Sequence, residues 1–377
     1  MRAAAVVLSA LFVLSTAAPA RAQLGSILKK ANQAADAKQK LDDLTFTDAE
    51  ERQIGEQVSL KLRTRFGVYQ NEPVTKYVSL VGGVLAQASS KPALDWRFIV
   101  LDTDGVNAYA APGGFIHITR GLLGLMKNES ELAGVLGHEI THVTQRHTIN
   151  AIRKDKGISM GTDAAGGGSL KNELIAKAIG KAFEDVFDGH WSRGDENDAD
   201  RIGVQLANKV GYAPLGLAQA LLKVSDRNAS RTEPNGWFVS HPVIKERIAN
   251  IDKQAASEKL TAKAMGEARY RQNITFDAKP MTEVATDVEG AAGLASGDKK
   301  KDDDKKADEK KDEPKKKGGL LSGITGGKQT QAQQQTASAG ARGGVPDRDA
   351  KGGSNPNALT VKVTAAELEA FKKGIGA

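Results

Sequence analysis

The segment Gly137-His138-Glu139-Ile140-Thr141-His142 constrains the fold most, because its chemistry requires a helix. Histidines at positions i and i+4 of a helix lie about 40° apart around its axis, so both imidazoles can reach one ion. Glu139 lies on the flank of the same face, where it can contact a water bound to that ion. The spacing is typical of a zinc peptidase site, with His138 and His142 as ligands and Glu139 as general base.

A zinc site of this kind needs a third protein ligand, and two downstream carboxylates are available. Glu196 is followed one turn later by Asp200, which can accept the second ring N–H of a ligand histidine and fix its tautomer. Glu184 and Asp188 have the same spacing, but their neighbours are apolar and Gly189 ends the segment. The pattern therefore favours Glu196 and leaves Glu184 as the alternative.

The helix that carries the histidine pair is predicted to begin at Asn128 and to run past His147, because apolar residues follow at helical spacing. On such a helix His147 lies about 180° around the axis from His138. We therefore expect His147 to pack or to cap, and not to bind the ion. The spacing of His190 indicates no role for it.

The composition excludes several kinds of protein and site. The chain of 377 residues has no cysteine, which excludes a disulfide scaffold, a thiolate zinc site, a cysteine nucleophile and a diacylglyceryl lipoprotein anchor. Its 53 Lys and Arg residues against 46 Asp and Glu residues give a net charge of +7. Because this balance is small and mixed, no nucleic acid is expected as a partner.

The first 22 residues have the pattern of a secretory signal peptide. Arg2 supplies the charged start, residues 3–14 are apolar apart from one serine, and Ala20-Arg21-Ala22 is a cleavage site. The apolar run is shorter than the ~20 residues that a membrane-spanning helix needs, so cleavage after Ala22 is favoured. We expect a mature chain without a transmembrane span, located in a bacterial periplasm or, alternatively, secreted.

Changes of composition divide the rest of the chain. A region with the apolar patterning of a folded domain is followed by a highly charged stretch and then by a Gly- and Gln-rich stretch. These two stretches cannot bury enough apolar surface to offset the entropy lost on folding, so they are predicted to be disordered. The predicted parts are a leader helix or linker at 23–45, a zinc metalloprotease domain at 46–283, a disordered linker at 284–357 and a strand–helix element at 358–377.

The C-terminal element combines a strand at Thr360–Val363 with a short helix. Thr364 and Glu367 have the spacing of a capping box, and Leu368 and Phe371 follow as apolar positions. The pattern is compatible with docking onto the domain or onto a partner, and the sequence leaves both open.

Several ordered segments together resemble metallopeptidase family 48, the gluzincin group that includes HtpX-like proteases, CaaX-prenyl proteases and soluble periplasmic proteases of outer-membrane quality control. The resemblance covers roughly residues 46–251. The segments that carry it are Asn107–Ile116, Gly121–Leu123, Glu131–Glu139, Ser192–Gly203, Ser240–Pro242 and Arg247-Ile248.

The resemblance implies a mostly helical α+β fold with a small β-sheet next to the helix of the histidine pair. It implies one Zn²⁺ per chain, held by His138, His142 and Glu196, with Glu139 as catalytic base, and so decides against Glu184. The membrane spans of the HtpX and prenyl-protease branches are absent from this sequence, which favours the soluble exported bacterial branch.

The family pattern also places His241 beside the metal. His241 is therefore a candidate to stabilise the oxyanion. Two alternatives stay open, because His241 can instead cap the predicted helix Val243–Lys253 or bind the zinc in a resting state.

Substrate is expected to pair, main chain to main chain, with the strand that follows the Pro112-Gly113-Gly114 turn, through Gly114, Phe115, Ile116 and His117. Backbone pairing tolerates many sequences and selects unfolded or flexible protein segments. The alternative is that this strand is an ordinary buried one, with His117 at the surface or the strand edge.

These features predict a zinc endopeptidase of the bacterial cell envelope that hydrolyses misfolded or mislocalised exported proteins. One alternative is a non-hydrolytic factor that binds clients on the same fold. Another is an assembly factor whose C-terminal element recruits an envelope complex. The presence of Glu139 favours the enzyme, because a pure binder gains nothing from a base beside the metal.

Overall fold

A three-stranded sheet with helices on both faces organises the part of the chain that the structure describes. The computed structural model describes residues 46–155, 167–189, 191–229, 236–241, 244–280, 359 and 361–375. The predicted signal peptide, the leader at 23–45, the linker at 284–357 and His190 lie outside these residues.

The strands are β1 (Arg97–Leu101), β2 (Ala108–Ala111) and β3 (Phe115–Thr119). The helices are α1 (Asp48–Phe66), α2 (Glu72–Ala88), α3 (Arg120–Leu125), α4 (Glu129–Thr144), α5 (His147–Lys154), α6 (Gly167–Asp188), α7 (Arg193–Lys209), α8 (Gly216–Arg227), α9 (Trp237–Ser240), α10 (Ile244–Ser257), α11 (Glu267–Asn273) and α12 (Ala365–Lys373).

Strand β3 is the centre of the sheet, whose order is β1-β3-β2. β1 runs parallel to β3 and β2 runs antiparallel to it, so that Ile116 lies between Phe98 and Ala110. Successive side chains of a strand face opposite sides of the sheet. Ile116 and Ile118 accordingly join the hydrophobic cluster on one face, and Phe115 joins the cluster on the other. Both faces are covered, and all five residues of β3 are buried.

Each face of the sheet is covered by its own set of helices. Apolar residues of α2, α4, α7, α8 and α10 form the cluster on one face, and residues of α1, α5 and α6 form the cluster on the other. Helix α4 packs against β2 and crosses α7. The prediction of a mostly helical α+β fold with a small sheet next to the helix of the histidine pair is confirmed. Among the described residues, no helix combines the length and the apolar character needed to cross a membrane.

The helices begin where the sequence places side-chain caps. The Thr47 hydroxyl accepts a hydrogen bond from the backbone N–H of Glu50, and the Glu50 carboxylate accepts one from the N–H of Thr47. Asn71 and Asn128 cap α2 and α4 through their side-chain oxygens. Such caps satisfy backbone N–H groups that have no partner within the helix.

The predicted continuation of α4 past His147 is wrong, because the helix ends at Thr144 and a second helix begins at His147. Between them Arg146 adopts the left-handed conformation, with φ 58°. Its guanidinium forms an ion pair with the buried Glu51 of α1 and donates a hydrogen bond of 3.1 Å to the carbonyl of Phe46. A non-glycine residue is rare in this conformation because it is strained, and these contacts hold Arg146 in it.

The C-terminal helix packs on the domain of the same chain. The capping box of Thr364 and Glu367 begins α12, and Leu368 contacts α2 at Gly83, where an added Cβ would lie 2.6 Å from its Cδ2 atom. Phe371 lies edge-on to Tyr77, with ring centroids 6.3 Å apart. The predicted strand is not formed at the described residues 361–363.

Candidate metal centre

Two histidines of α4 turn their Nε2 atoms toward one point. Nε2 of His138 and Nε2 of His142 are 3.1 Å apart, and both side chains are buried. Gly137 and Gly203 let α4 and α7 cross closely, since a Cβ on Gly203 would lie 2.7 Å from the backbone nitrogen of His138. A Cβ on Gly137 would lie 2.8 Å from the carbonyl oxygen of Gly203. This close crossing brings the first turn of α7 next to the histidine pair.

Glu196 and His241 complete the cluster. Oε1 of Glu196 lies 3.4 Å from Nε2 of His142 and 2.9 Å from Nδ1 of His241. The same Nδ1 atom is 3.3 Å from Nε2 of His138. One ligand atom from each of the four residues lies within 4.8 Å of the others, and all four residues are buried. The structure therefore brings together the three sequence-predicted metal ligands and His241.

The donor atoms of this cluster fit a divalent metal ion. Ligands held tetrahedrally at ~2.0–2.1 Å from zinc lie about 3.3 Å from one another, close to the separations of the imidazole nitrogens here. Burial lowers the pKa of His138 to about 3, so its ring is neutral at physiological pH and keeps a lone pair for a metal. Imidazole and carboxylate together are a donor set that suits zinc and its neighbours in the periodic table.

Asp200 and Arg247 lie next to the cluster and contact its residues. Oδ1 of Asp200 is 2.9 Å from Nδ1 of His138, the contact expected from the spacing of Glu196 and Asp200. The guanidinium of Arg247 donates hydrogen bonds of 2.6 and 2.7 Å to the two oxygens of Asp200 and lies 2.7 Å from Oε2 of Glu196. Sequence reasoning gave Arg247 no role. The one indication of a role in the sequence was that Arg247 belongs to the Arg247-Ile248 segment, which resembles metallopeptidase family 48.

Both carboxylates of this arrangement are held in the charged state. Burial alone would raise the pKa of Glu196, but the neighbouring His241 and Arg247 outweigh it and hold this pKa well below its ordinary value. Burial of Asp200 is likewise outweighed by Arg247, and its pKa is lowered. The cluster thus presents the anionic oxygens of Glu196 next to the neutral ring of His138, as a cation requires.

Glu139 is a buried acid at the edge of the cluster. Its Oε1 atom lies 3.8 Å from Nε2 of His241 and forms no hydrogen bond with the residues that the structure describes. Burial raises the pKa of Glu139 to about 7. A carboxyl group with a pKa near neutrality can both accept and return a proton, which is the property of a general acid–base group.

His241 faces two groups at once. Its Nδ1 atom faces Glu196 and its Nε2 atom faces Glu139. The segment that carries it is fixed by a hydrogen bond of 3.2 Å from the Ser240 hydroxyl to Oδ1 of Asn107, at the start of β2. This position beside the ligands leaves both the oxyanion role and the zinc-ligand role open. Pro242 and Val243, which would decide a capping role for α10, lie outside the described residues.

His147 and Trp191 adjoin the cluster, and sequence reasoning missed both. The end of α4 at Thr144 invalidates the placement of His147 on the far side of a continuous helix. Nδ1 of His147 lies 3.0 Å from Nδ1 of His142, and the ring of Trp191 lies 4.6 Å from the ring of His142. Burial and the neighbouring His142 lower the pKa of His147 to about 4.

The predicted substrate strand does not have a free edge. Phe115, Ile116 and His117 belong to β3, which pairs with β1 on one side and β2 on the other. The prediction that their main chain pairs with substrate is therefore wrong, because both edges are already hydrogen-bonded. His117 is also not at the surface or the strand edge: it is fully buried, and its Nε2 atom lies 2.8 Å from the hydroxyl of Ser59. Gly114 lies in the turn before β3, with φ 97°.

Glu184, the alternative third ligand, lies away from the cluster. Its side chain is exposed on α6 and interacts electrostatically with Lys61. The group of converging side chains found among the described residues contains Glu196 instead.

The sequence is similar to that of known peptidases. The profile of Peptidase family M48 matches residues 74–255, a range that contains all the residues of the metal cluster. The chain is 27% identical over 218 residues to the beta-barrel assembly-enhancing protease of Yersinia pestis, a match that covers 56% of this chain and 45% of that protein. This chain therefore spans about half the length of that relative.

Two shorter relatives come from Escherichia coli (strain K12). The chain is 31% identical over 164 residues to the metalloprotease YcaL, covering 43% of this chain and 63% of that protein. It is 24% identical over 213 residues to the metalloprotease LoiP, covering 55% of this chain and 81% of that protein.

Proposed function

The chain belongs to peptidase family M48 and carries its metallopeptidase domain, and from this premise we propose that the protein is a zinc-dependent endopeptidase of the bacterial cell envelope. The observation that carries the proposal is the position of Glu139. A buried carboxyl group with a pKa of about 7 lies beside a four-residue cluster suited to a metal ion. A structural metal site has no use for such a group.

His138, His142 and Glu196 would hold the zinc ion. When bound, the ion supplies Lewis-acid chemistry, polarising the scissile carbonyl and lowering the pKa of the attacking water. Glu139 accepts the proton that the water loses as its oxygen bonds to the carbonyl carbon. Glu139 then donates this proton to the leaving nitrogen as the C–N bond breaks, and so returns to its starting state.

Arg247 and Asp200 position the ligands. Asp200 accepts a hydrogen bond from Nδ1 of His138, which leaves Nε2 of that ring as the atom that faces the ion. Arg247 binds both Asp200 and Glu196 and so keeps these carboxylates in one arrangement.

His241 is proposed to act in the same site, either as an oxyanion donor or as a resting-state ligand. Its Nδ1 atom lies among the ligand atoms, which supports the resting-state role. In that case cleavage requires the His241 side chain to move away from the ion. Because the cluster is buried, substrate binding requires the covering residues to move in either case.

The proposed substrates are unfolded or flexible segments of exported proteins. Strand β2, not β3, lies at an edge of the sheet and next to α4, so it is the strand whose main chain can pair with an extended segment. The signal-peptide pattern of residues 1–22 supports a periplasmic location. The name of the Yersinia pestis relative, a beta-barrel assembly-enhancing protease, supports a link to envelope assembly.

The substitution Glu139→Gln tests this proposal. We expect the purified variant to retain zinc and to lose cleavage of casein. Glu196→Ala should lose zinc as well as activity, because it removes a ligand. If the Glu139→Gln variant cleaves casein as the wild type does, the proposed mechanism is wrong. If neither the wild type nor the Glu139→Gln variant cleaves casein, and both protect a client protein from aggregation equally, the non-hydrolytic binding function is correct instead.

A further inference from the structure

We propose that His147 is a positioning residue for the metal site, which accepts a hydrogen bond from His142 and thereby holds that ligand in its metal-binding tautomer. The inference rests on the proposed function, since it assigns a role toward the zinc ion. It concerns a histidine that lies outside the proposed ligands and the catalytic base.

The two nitrogens of His142 face different neighbours. Its Nε2 atom lies 3.1 Å from Nε2 of His138 and 3.4 Å from Oε1 of Glu196, so Nε2 is the atom directed at the ion. Its Nδ1 atom lies 3.0 Å from Nδ1 of His147. This is hydrogen-bonding distance, and the geometry joins the two rings through one proton.

The chemistry of a bound ion determines which ring donates. A histidine that binds metal through Nε2 carries its proton on Nδ1, so His142 is the donor. Two N–H groups cannot face each other at this distance, and Nδ1 of His147 must therefore offer a lone pair. The proton of the neutral His147 ring is then on Nε2.

Asp195 favours this tautomer of His147. Its Oδ1 atom lies 3.8 Å from Nε2 of His147, too far for a hydrogen bond but within the range of a charge–dipole attraction. Its Oδ2 atom is held by the capping box with Ser192. A negative charge on this side of the ring stabilises a proton on Nε2 over one on Nδ1. The first turn of α7 thus supplies both the ligand Glu196 and the charge that orients His147.

The surroundings make this contact well defined. His147 is buried, and Trp191 covers the ring of His142 from the side. The rings of His142 and His147 meet nearly at right angles, with an interplanar angle of 81°. The other α4 ligand, His138, is held by the carboxylate of Asp200. The two helical ligands are therefore oriented by different acceptors, one an anion and one a neutral ring.

A matched pair of substitutions tests the role of the acceptor. The side chains of asparagine and leucine have the same number and branching of heavy atoms, but only His147→Asn keeps an oxygen close to the position of Nδ1. We expect His147→Leu to weaken zinc binding by about 10- to 100-fold, the usual effect of removing such a partner. His147→Asn should bind zinc within about threefold of the wild type. Zinc affinity is measured by competition with a chelator on the full chain.

Cobalt substitution adds a readout that a purely structural role does not affect. The visible absorption bands of the Co²⁺-loaded His147→Leu protein should shift relative to the wild type, while those of His147→Asn should match it. Equal zinc affinity and equal cobalt spectra for the Leu variant and the wild type would overturn the proposal.

Nitrogen-15 NMR of the wild-type zinc protein tests the tautomers without a substitution, in case His147→Leu fails to fold. The spectrum should show His147 protonated on Nε2 and His142 bound to metal through Nε2. A proton on Nδ1 of His147 would refute the role. Failure of the wild type to bind zinc at all would instead refute the proposed function, so the two ideas are separable.

Discussion

Arg247 donates two hydrogen bonds to Asp200, of 2.6 Å to Oδ1 and 2.7 Å to Oδ2, and its third guanidinium nitrogen lies 2.7 Å from Oε2 of Glu196. The guanidinium is almost completely buried, and the two carboxylates raise its pKa above its ordinary value despite that burial. A single cation thus stabilises two buried anions, the proposed ligand Glu196 and its neighbour Asp200. The planar fork of an arginine can serve both at once, which a lysine cannot.

Replacing Arg247 by methionine should therefore destabilise the protein strongly. The change leaves Asp200 and Glu196 buried without their counter-ion, at a cost of about 3–5 kcal/mol in the free energy of unfolding. Urea denaturation of the metal-free protein measures this. Arg271→Met is the matched control, since Arg271 is exposed and its ion pair with Glu267 is 3.7 Å long. That control should change stability by less than about 0.5 kcal/mol, and an equal effect of both substitutions would contradict the assigned role of Arg247.

The stability of the metal-free protein should fall as the pH rises from about 4.5 to 7, through the titration of Glu139. Its pKa is raised in the folded protein from 4.5 to about 7, so the folded state binds more protons than the unfolded state in this window. The stabilisation is complete below the unfolded-state value and is lost as the pH passes the folded-state value. Glu139→Gln does not titrate, so between pH 5 and pH 8 it should gain up to about 3 kcal/mol relative to the wild type. Urea denaturation of both proteins at the two pH values tests this, and a pH-independent difference would show that the raised pKa is wrong.

Gly203→Ala should damage the metal site through the crossing of α4 and α7. The added Cβ would lie 2.7 Å from the backbone nitrogen of His138, so the helices must separate. We expect a loss of about 1–3 kcal/mol of stability together with weaker zinc binding, because Glu196 moves with α7. Gly180→Ala is the control, since nothing among the described residues lies within 4 Å of its added Cβ on α6. Thermal unfolding and zinc titration of both variants decide the matter, and unaltered zinc affinity in Gly203→Ala would mean that the crossing does not position Glu196.

Leu368→Asp should release α12 from the domain and leave peptidase activity intact. Leu368 is the buried residue of α12, and it packs against Gly83 of α2, far along the chain from the metal ligands. A charged group at this position cannot be buried without a partner. Hydrogen exchange should increase at α12 and at the face of α2 that it covers. Glu369→Asp, at an exposed position of the same helix, should leave exchange unaltered. Loss of casein cleavage in Leu368→Asp would mean that α12 supports the metal site after all.

Local patterns in the sequence were sufficient for the helical half of the site. The spacing of His138 and His142, the choice of Glu196 over Glu184 and the contact expected for Asp200 all depend on residues within one helical turn of each other or on a motif. The capping boxes at Thr47 and Thr364 are local in the same sense, because each satisfies its own helix end. Such features can be predicted from one sequence, since a helix fixes the relative directions of neighbouring side chains.

The predictions about the end of α4, the position of His147 and the free edge of β3 were wrong because a distant segment of the chain determines each of these features. The break of α4 depends on an ion pair between Arg146 and Glu51, 95 residues apart, and it turns His147 from a remote residue into a neighbour of His142. The central place of β3 depends on pairing with both β1 and β2, which no periodicity within β3 can indicate.

The sequence by itself determined which residues can bind a metal ion and which helices carry them, because those properties depend on side-chain chemistry and on the 3.6-residue period. Only the tertiary structure decided that α12 packs on α2, and which side chains support the proposed ligands: Arg247 across the two carboxylates and His147 against His142. These contacts join segments that are distant in the chain, and they form because buried charges and polar rings must find partners when water is excluded.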